Sequence, residues 1–155
     1  MQSFQDMCTK FAQIAKGNPS VKHGVCSVAL HRNLSVMIQG RPSRSALHAG
    51  ITFESLDIYG NALNLGEVVV LQEELQPFVK VLAENNLIIS AVHNHWIYSD
   101  PAILYVHFQS IEPPLIFAQK FAQAFSVLKN YWNGRLLKEL LRTALITSDR
   151  TIHDF

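Results

Sequence analysis

Apolar residues recur at helical spacing near the start of the chain. Phe4, Met7, Cys8, Phe11, Ile14 and Ala15 share one face of a helix predicted over residues 4–16, and Gly17-Asn18-Pro19 stops it. The pattern then shortens towards strand alternation. Residues 25–30 and 34–38 read as two short strands joined by a tight turn at His31-Arg32-Asn33, with a loop at Gly40-Arg41-Pro42-Ser43. Residues 46–56 read as extended, and residues 57–61, with Gly60 among them, as a further turn.

The second half is more sharply patterned. Gly66-Glu67-Val68-Val69-Val70-Leu71 is a β-branched run that predicts a strand. Leu75, Phe78, Val79 and Leu82 then fall at helical spacing within residues 73–84, which end at Asn85-Asn86. Two strands follow, over 87–96 and 102–111, around the loop Tyr98-Ser99-Asp100-Pro101. Pro113-Pro114 suits the start of a helix over 115–129, whose Phe117, Phe121 and Phe125 make a core stripe. A last amphipathic segment is predicted over 134–145. The order β-α-β-β-α is most of a split βαβ unit. The expectation is one α+β domain over 1–155: a mainly antiparallel sheet with helices packed on it.

Composition narrows the class. With 155 residues, 48% hydrophobic and 16% charged, the chain can bury a substantial core and is not a disordered segment. So little charge on a small domain keeps burial against a partner open, a homodimer first. The net charge is +1 and no dense Lys/Arg run exists, so nucleic acid is not the expected partner. The opening MQSFQDMCTKFAQ lacks the basic and apolar regions of a secretory signal, and no apolar run is long enough to span a bilayer. Two cysteines, Cys8 and Cys26, are too few for a disulfide framework. Cys8, on the apolar helix face, reads as a free thiol acting as a small hydrophobe, and a reducing cytoplasm is the default.

The stretch from Gly66 through HNHWIYSDPAILYVHF to the following amphipathic helix resembles the LppY/LpqO family of bacterial and archaeal proteins. The resemblance rests on Glu74 and Pro77 on the helix, on Ala-x-His-Asn-His at residues 91–95, and on a second strand ending in His107. It is strong over residues 66–128. Weaker similarity reaches back to residue 25 through Arg32-Asn33-Leu34 and Ala49-Gly50-Ile51-Thr52-Phe53, where the family tends to have Asp and Trp at the positions of Asn33 and Ile51. The family's function is unassigned, so the resemblance implies little about activity. Its lipoprotein members carry a signal and a lipidation cysteine that this chain does not show, so their envelope location does not carry over.

His93 and His95 are two apart on a predicted strand and so share a face. Pairing residue 97 with residue 103 places His107 directly opposite His93, whereas a slip of one residue sends His107 to the other face. Three converging imidazoles suit zinc or another borderline divalent metal, with Glu74 as a weak nominee for a carboxylate ligand or acid/base group. Asn94 is a candidate ligand contact. Two other readings stand beside the metal: a metal-free polar pocket, and histidines that merely brace the hairpin. The letters His-Asn-His do not make an HNH endonuclease, which spreads those residues over a larger metal-binding module and adds basic DNA contacts. His23, His31, His48 and His153 read as exposed turn or tail residues, and neither a nucleophile elbow nor a phosphate loop is present. Two function classes follow: a metal- or small-ligand-binding sensor domain, which the lack of accessory catalytic motifs favours, and a small metal-dependent hydrolase.

Overall fold

The first helix, α1 (Phe4–Ala15), is closed at its N-terminus by reciprocal hydrogen bonds between Ser3 and Asp6, which occupy two of the donors a helix end leaves free. It ends at Lys16 in the left-handed region. The structure, a computed structural model, describes residues 2–128, so the segment expected at 134–145 lies outside the described residues. The chain turns back at once into β1 (Asn18–Lys22), which pairs antiparallel with β2 (Val25–Ala29) around His23-Gly24. Every residue of β1 is exposed, so it carries no alternation, and Pro19 is partnered at a sheet edge where a missing N–H is tolerated. That is why the sequence pattern did not reveal it.

β2 does not form a hairpin with the segment after it, as its spacing suggested. Its second partner is β5 (Ala49–Glu54). The expected turn residue Arg32 is drawn inward instead, to 1% exposure, and pairs with Glu74 at 2.6 Å. The chain from there runs into a separate small sheet of β3 (Met37–Ile38), β4 (Arg41–Pro42) and β8 (Ser99–Asp100), the last ending at a cis Asp100–Pro101 bond. A turn at Asp57, whose carboxylate accepts the amides of Tyr59 and Asn61, leads into β6 (Ala62–Leu71).

From β6 the chain passes through α2 (Gln72–Glu84) to β7 (Ile88–His93), then returns along β9 (Ile103–Glu112). β9 inserts between β6 and β7, antiparallel to both, as a split βαβ unit requires. The main sheet therefore runs β1-β2-β5-β6-β9-β7, antiparallel throughout. α3 (Pro114–Phe125) follows with proline in its first turn. The fold is α+β, as the pattern predicted.

One face of the main sheet carries the helices. Cys26, Val28, Ile51, Phe53, Val68, Val70, Val106 and Phe108 point into it and meet Phe11, Phe78, Leu82, Phe117 and Phe121, all buried. The expected core residues Phe78, Leu82, Phe117, Phe121 and Phe125 are all there, Phe125 at 9% being the most exposed of the five, with Leu75 and Val79 half-buried beside them. Within this core Cys8 and Cys26 form a disulfide, with Cα atoms 5.6 Å apart. This corrects the free-thiol reading. The buried face of α1 lies against β2, and both cysteines point into the same layer, a proximity that two isolated cysteines in a sequence do not signal.

Among the described residues the opposite face is only partly covered. At one end Val36, Ala46, Val69, Ile103 and Tyr105 form a second apolar cluster, with Leu34, Ile38 and Leu47 packed on it. The Tyr105 hydroxyl donates to the Ala46 carbonyl at 2.6 Å, tying that covering segment to β9. Beyond the cluster, towards the middle of β5 and β6, the face is open among the described residues. Ser27, His48, Gly50, Thr52, Leu65, Glu67 and His107 line a hollow of about 370 Å³ there.

Candidate metal centre

Three of the histidines meet on this open face. His93 is the last residue of β7, His95 lies two residues beyond the strand end, and His107 is in the middle of β9. The expected register is shifted by two residues: His93 is opposite Tyr105 and Ala91 is opposite His107. A bulge between Ile89 and Ala91 absorbs one residue on β7, and the pleat keeps its parity from there on. A shift of two preserves the face, so His93 and His107 become diagonal neighbours rather than a direct pair. Their Nε2 atoms lie 3.0 Å apart.

The rings are laid on one another. His93 stacks on His107 with centroids 4.9 Å apart and on His95 at 4.6 Å. His95 in turn lies 4.0 Å above the ring of Tyr105, nearly parallel to it. Tyr105 is buried and fixed at both ends, by its ring in the second cluster and by its hydroxyl on Ala46, so it forms a rigid floor. Burial pushes its phenol pKa up, with Trp96 opposing and Glu67 adding to the rise, so the hydroxyl stays protonated as a donor.

The ligand atoms of His93, His95 and His107 all lie within 4.8 Å of one another. Tetrahedral zinc holds nitrogens about 2 Å away, so its paired ligands sit roughly 3.3 Å apart. The His93–His107 pair is already near that spacing. His95 is the exposed member and lies outside the strand, which leaves it free to close the remaining distance. Neutral imidazoles are the right donors for a borderline metal, and the electrostatics favour the neutral form at His107. Its pKa is lowered first by burial, with Glu67 opposing and with His93, His95 and His48 lowering it further. The arrangement fits a three-histidine metal site.

Two residues near it were not singled out by the sequence. Glu67 pairs directly across from His107 in β6, and its Oε2 stands 3.9 Å from His107 Nδ1. His48, taken for an exposed loop residue, is exposed but lines the same hollow, where its Nε2 lies 3.5 Å from the point a β-carbon on Gly50 would occupy. The signal for Glu67 was present: it is the one charge in the run Ala62–Leu71. Its meaning depended on knowing that β6 pairs with β9.

Glu74 is not part of the cluster. Its side chain is buried and its Oε2 accepts both from Arg32 and from the Leu71 amide, at 2.6 and 2.9 Å. Asn94, between the two histidines, is exposed.

Comparison with known proteins places the sequence pattern in a family without placing its chemistry. A family model described as Domain of Unknown Function (DUF1259), named DUF1529, matches residues 9–127, a span that includes the three histidines. No curated protein and no solved structure matches the chain.

Proposed function

The chain belongs to the DUF1529 family, a domain of unknown function (DUF1259), and from that premise we propose that it is a divalent-metal-binding domain with His93, His95 and His107 as ligands and zinc as the first candidate. The observation that carries this is the convergence of the three imidazoles on the open sheet face, within 4.8 Å of one another. Three protein nitrogens leave one position of a tetrahedral metal for water or a small ligand, and the half-exposed site gives access to it. Asn94 is the nearest auxiliary group along the chain for such a ligand. The LppY/LpqO resemblance supports the same residues, since Ala-x-His-Asn-His and His107 are what carry it.

A binding or sensing role fits better than hydrolysis. Glu74, the acid/base nominee, is already committed to Arg32 and the Leu71 amide, and Glu67 faces the Nδ1 side of His107, away from the nitrogen that meets His93. A base for metal-bound water needs hydrogen-bond reach of that water. The Cys8–Cys26 disulfide supports an oxidising compartment over the reducing cytoplasm that composition alone suggested.

The test is a set of thermal melts in EDTA, zinc, nickel and manganese, on wild type and His95→Gln without an affinity tag. A metal that binds only the native state raises the melting temperature by mass action. The wild type is expected to gain stability with zinc, and His95→Gln to lose most of that gain while its melt in EDTA stays within about 0.5 kcal/mol, as for an exposed polar change. A wild type indifferent to every metal overturns the metal reading.

A further inference from the structure

Glu67 sits where a carboxylate has a cost. β6 has β5 on one side and β9 on the other, and the remaining nine residues of the strand are uncharged. Its side chain is 29% exposed, so water solvates it only in part. On the β5 side its cross-strand partner is Gly50, which offers no side chain. On the β9 side the partner is His107. Directly opposed residues on one sheet face bring their β-carbons within about 5 Å, so the register itself aims the carboxylate at that imidazole.

The two nitrogens of His107 therefore face different neighbours. Nε2 meets His93 Nε2 at 3.0 Å, and Nδ1 faces Glu67 Oε2 at 3.9 Å. A neutral imidazole carries one proton, and only the bare nitrogen can bind a metal. A carboxylate beside Nδ1 favours the proton there and leaves Nε2 as the donor atom. We propose that Glu67 is the positioning residue of the metal centre: it holds His107 in the Nδ1–H tautomer, so that Nε2 points with His93 at a common ion. This rests on the metal reading above. The gap is longer than a hydrogen bond, and a small side-chain rotation would close it; a bound metal would draw electron density from the ring and strengthen the N–H donor.

The experiment compares wild type, Glu67→Gln and Glu67→Leu by zinc titration against a chromophoric chelator, with ¹⁵N shifts of the histidine rings recorded on the metal-free proteins. Second-sphere partners of this kind are worth roughly 10–100-fold in metal affinity. Glu67→Leu is expected to lose affinity in that range. Glu67→Gln, whose amide oxygen still accepts from Nδ1, is expected to lose less. The ¹⁵N shifts should show His107 protonated on Nδ1 in wild type and moving towards the Nε2–H form in Glu67→Leu, a change that a purely structural role does not produce. Should Glu67→Leu fail to fold, the smaller loss in Glu67→Gln and its ring shifts carry the test. Wild-type zinc affinity with an unaltered His107 tautomer and equal affinity in the variants overturns the role of Glu67 and leaves the metal site standing. A wild type that binds no zinc removes both.

Discussion

His107 shows how one side chain can be legible in kind and illegible in role. Its type and strand position suggested a ligand, whereas its protonation depends on neighbours from four other places in the chain. Burial lowers its pKa most, Glu67 opposes this, and His93, His95 and His48 add to the lowering. The native state thus takes up this proton less readily than the unfolded chain, where histidine titrates near about 6.5. The contribution is present above that pH and is lost as pH falls through it towards the lower native value. Metal-free protein should melt at falling temperatures between about pH 7.5 and 5, and His107→Gln should flatten the slope. An unchanged slope in His107→Gln would place the acid sensitivity on other groups.

At the level of elements, periodicity was informative wherever an element buries one face. Phe78, Leu82, Phe117 and Phe121 were assigned to the core from spacing alone and each is fully buried. The elements that escaped were those with another logic. β1 is exposed along its length, and Arg32 leaves an expected turn to pair with Glu74 forty-two residues away. His93 and His107 were legible as neighbours because their shared face depends only on strand parity, which a shift of two residues left intact, whereas His95 lies past the strand end, where parity no longer governs it. The carboxylate of Glu67 was not legible, because the β6–β9 pairing is a tertiary fact. The close fit at that pairing gives a prediction. Phe108 covers its partner Gly66 so closely that a β-carbon there would overlap the ring, at 2.3 Å from two of its atoms. Gly66→Ala should destabilise by about 1–3 kcal/mol, as over-packing does. Denaturant melts read this directly, and a loss under about 0.5 kcal/mol would mean the ring moves aside without cost.

For the whole molecule, the disulfide adds a covalent cross-link between the N-terminal helix and the sheet, beyond the backbone that joins α1 to β1. It joins residues 18 apart in sequence. A closed loop of that length removes enough unfolded-chain entropy to stabilise the fold by about 3 kcal/mol in the loop-closure account. Reduction with a phosphine, or the double change Cys8→Ala and Cys26→Ala, should lower the unfolding free energy by about that amount with the far-UV circular dichroism of the native state retained. Equal stability with and without reductant would show that packing of Phe11 against Phe53 and Phe117 suffices to hold α1 in place.

The place of β9 between β6 and β7 also has a meaning in time. A nascent chain emerges N-terminus first, so β1, β2, β5 and β6 can pair while residues 103–112 are still being made. Until then the edge of β6 that β9 will take is unpaired, on a strand rich in valine and leucine, and open to whatever strand is nearby. α2 and β7 are synthesised in that interval, yet among the described strands β7 pairs with β9 alone, which arrives between it and β6. Translation is therefore expected to complete the sheet and assemble the three histidines in one late step, and a ribosome stalled before residue 103 is expected to leave a sticky intermediate rather than a smaller domain.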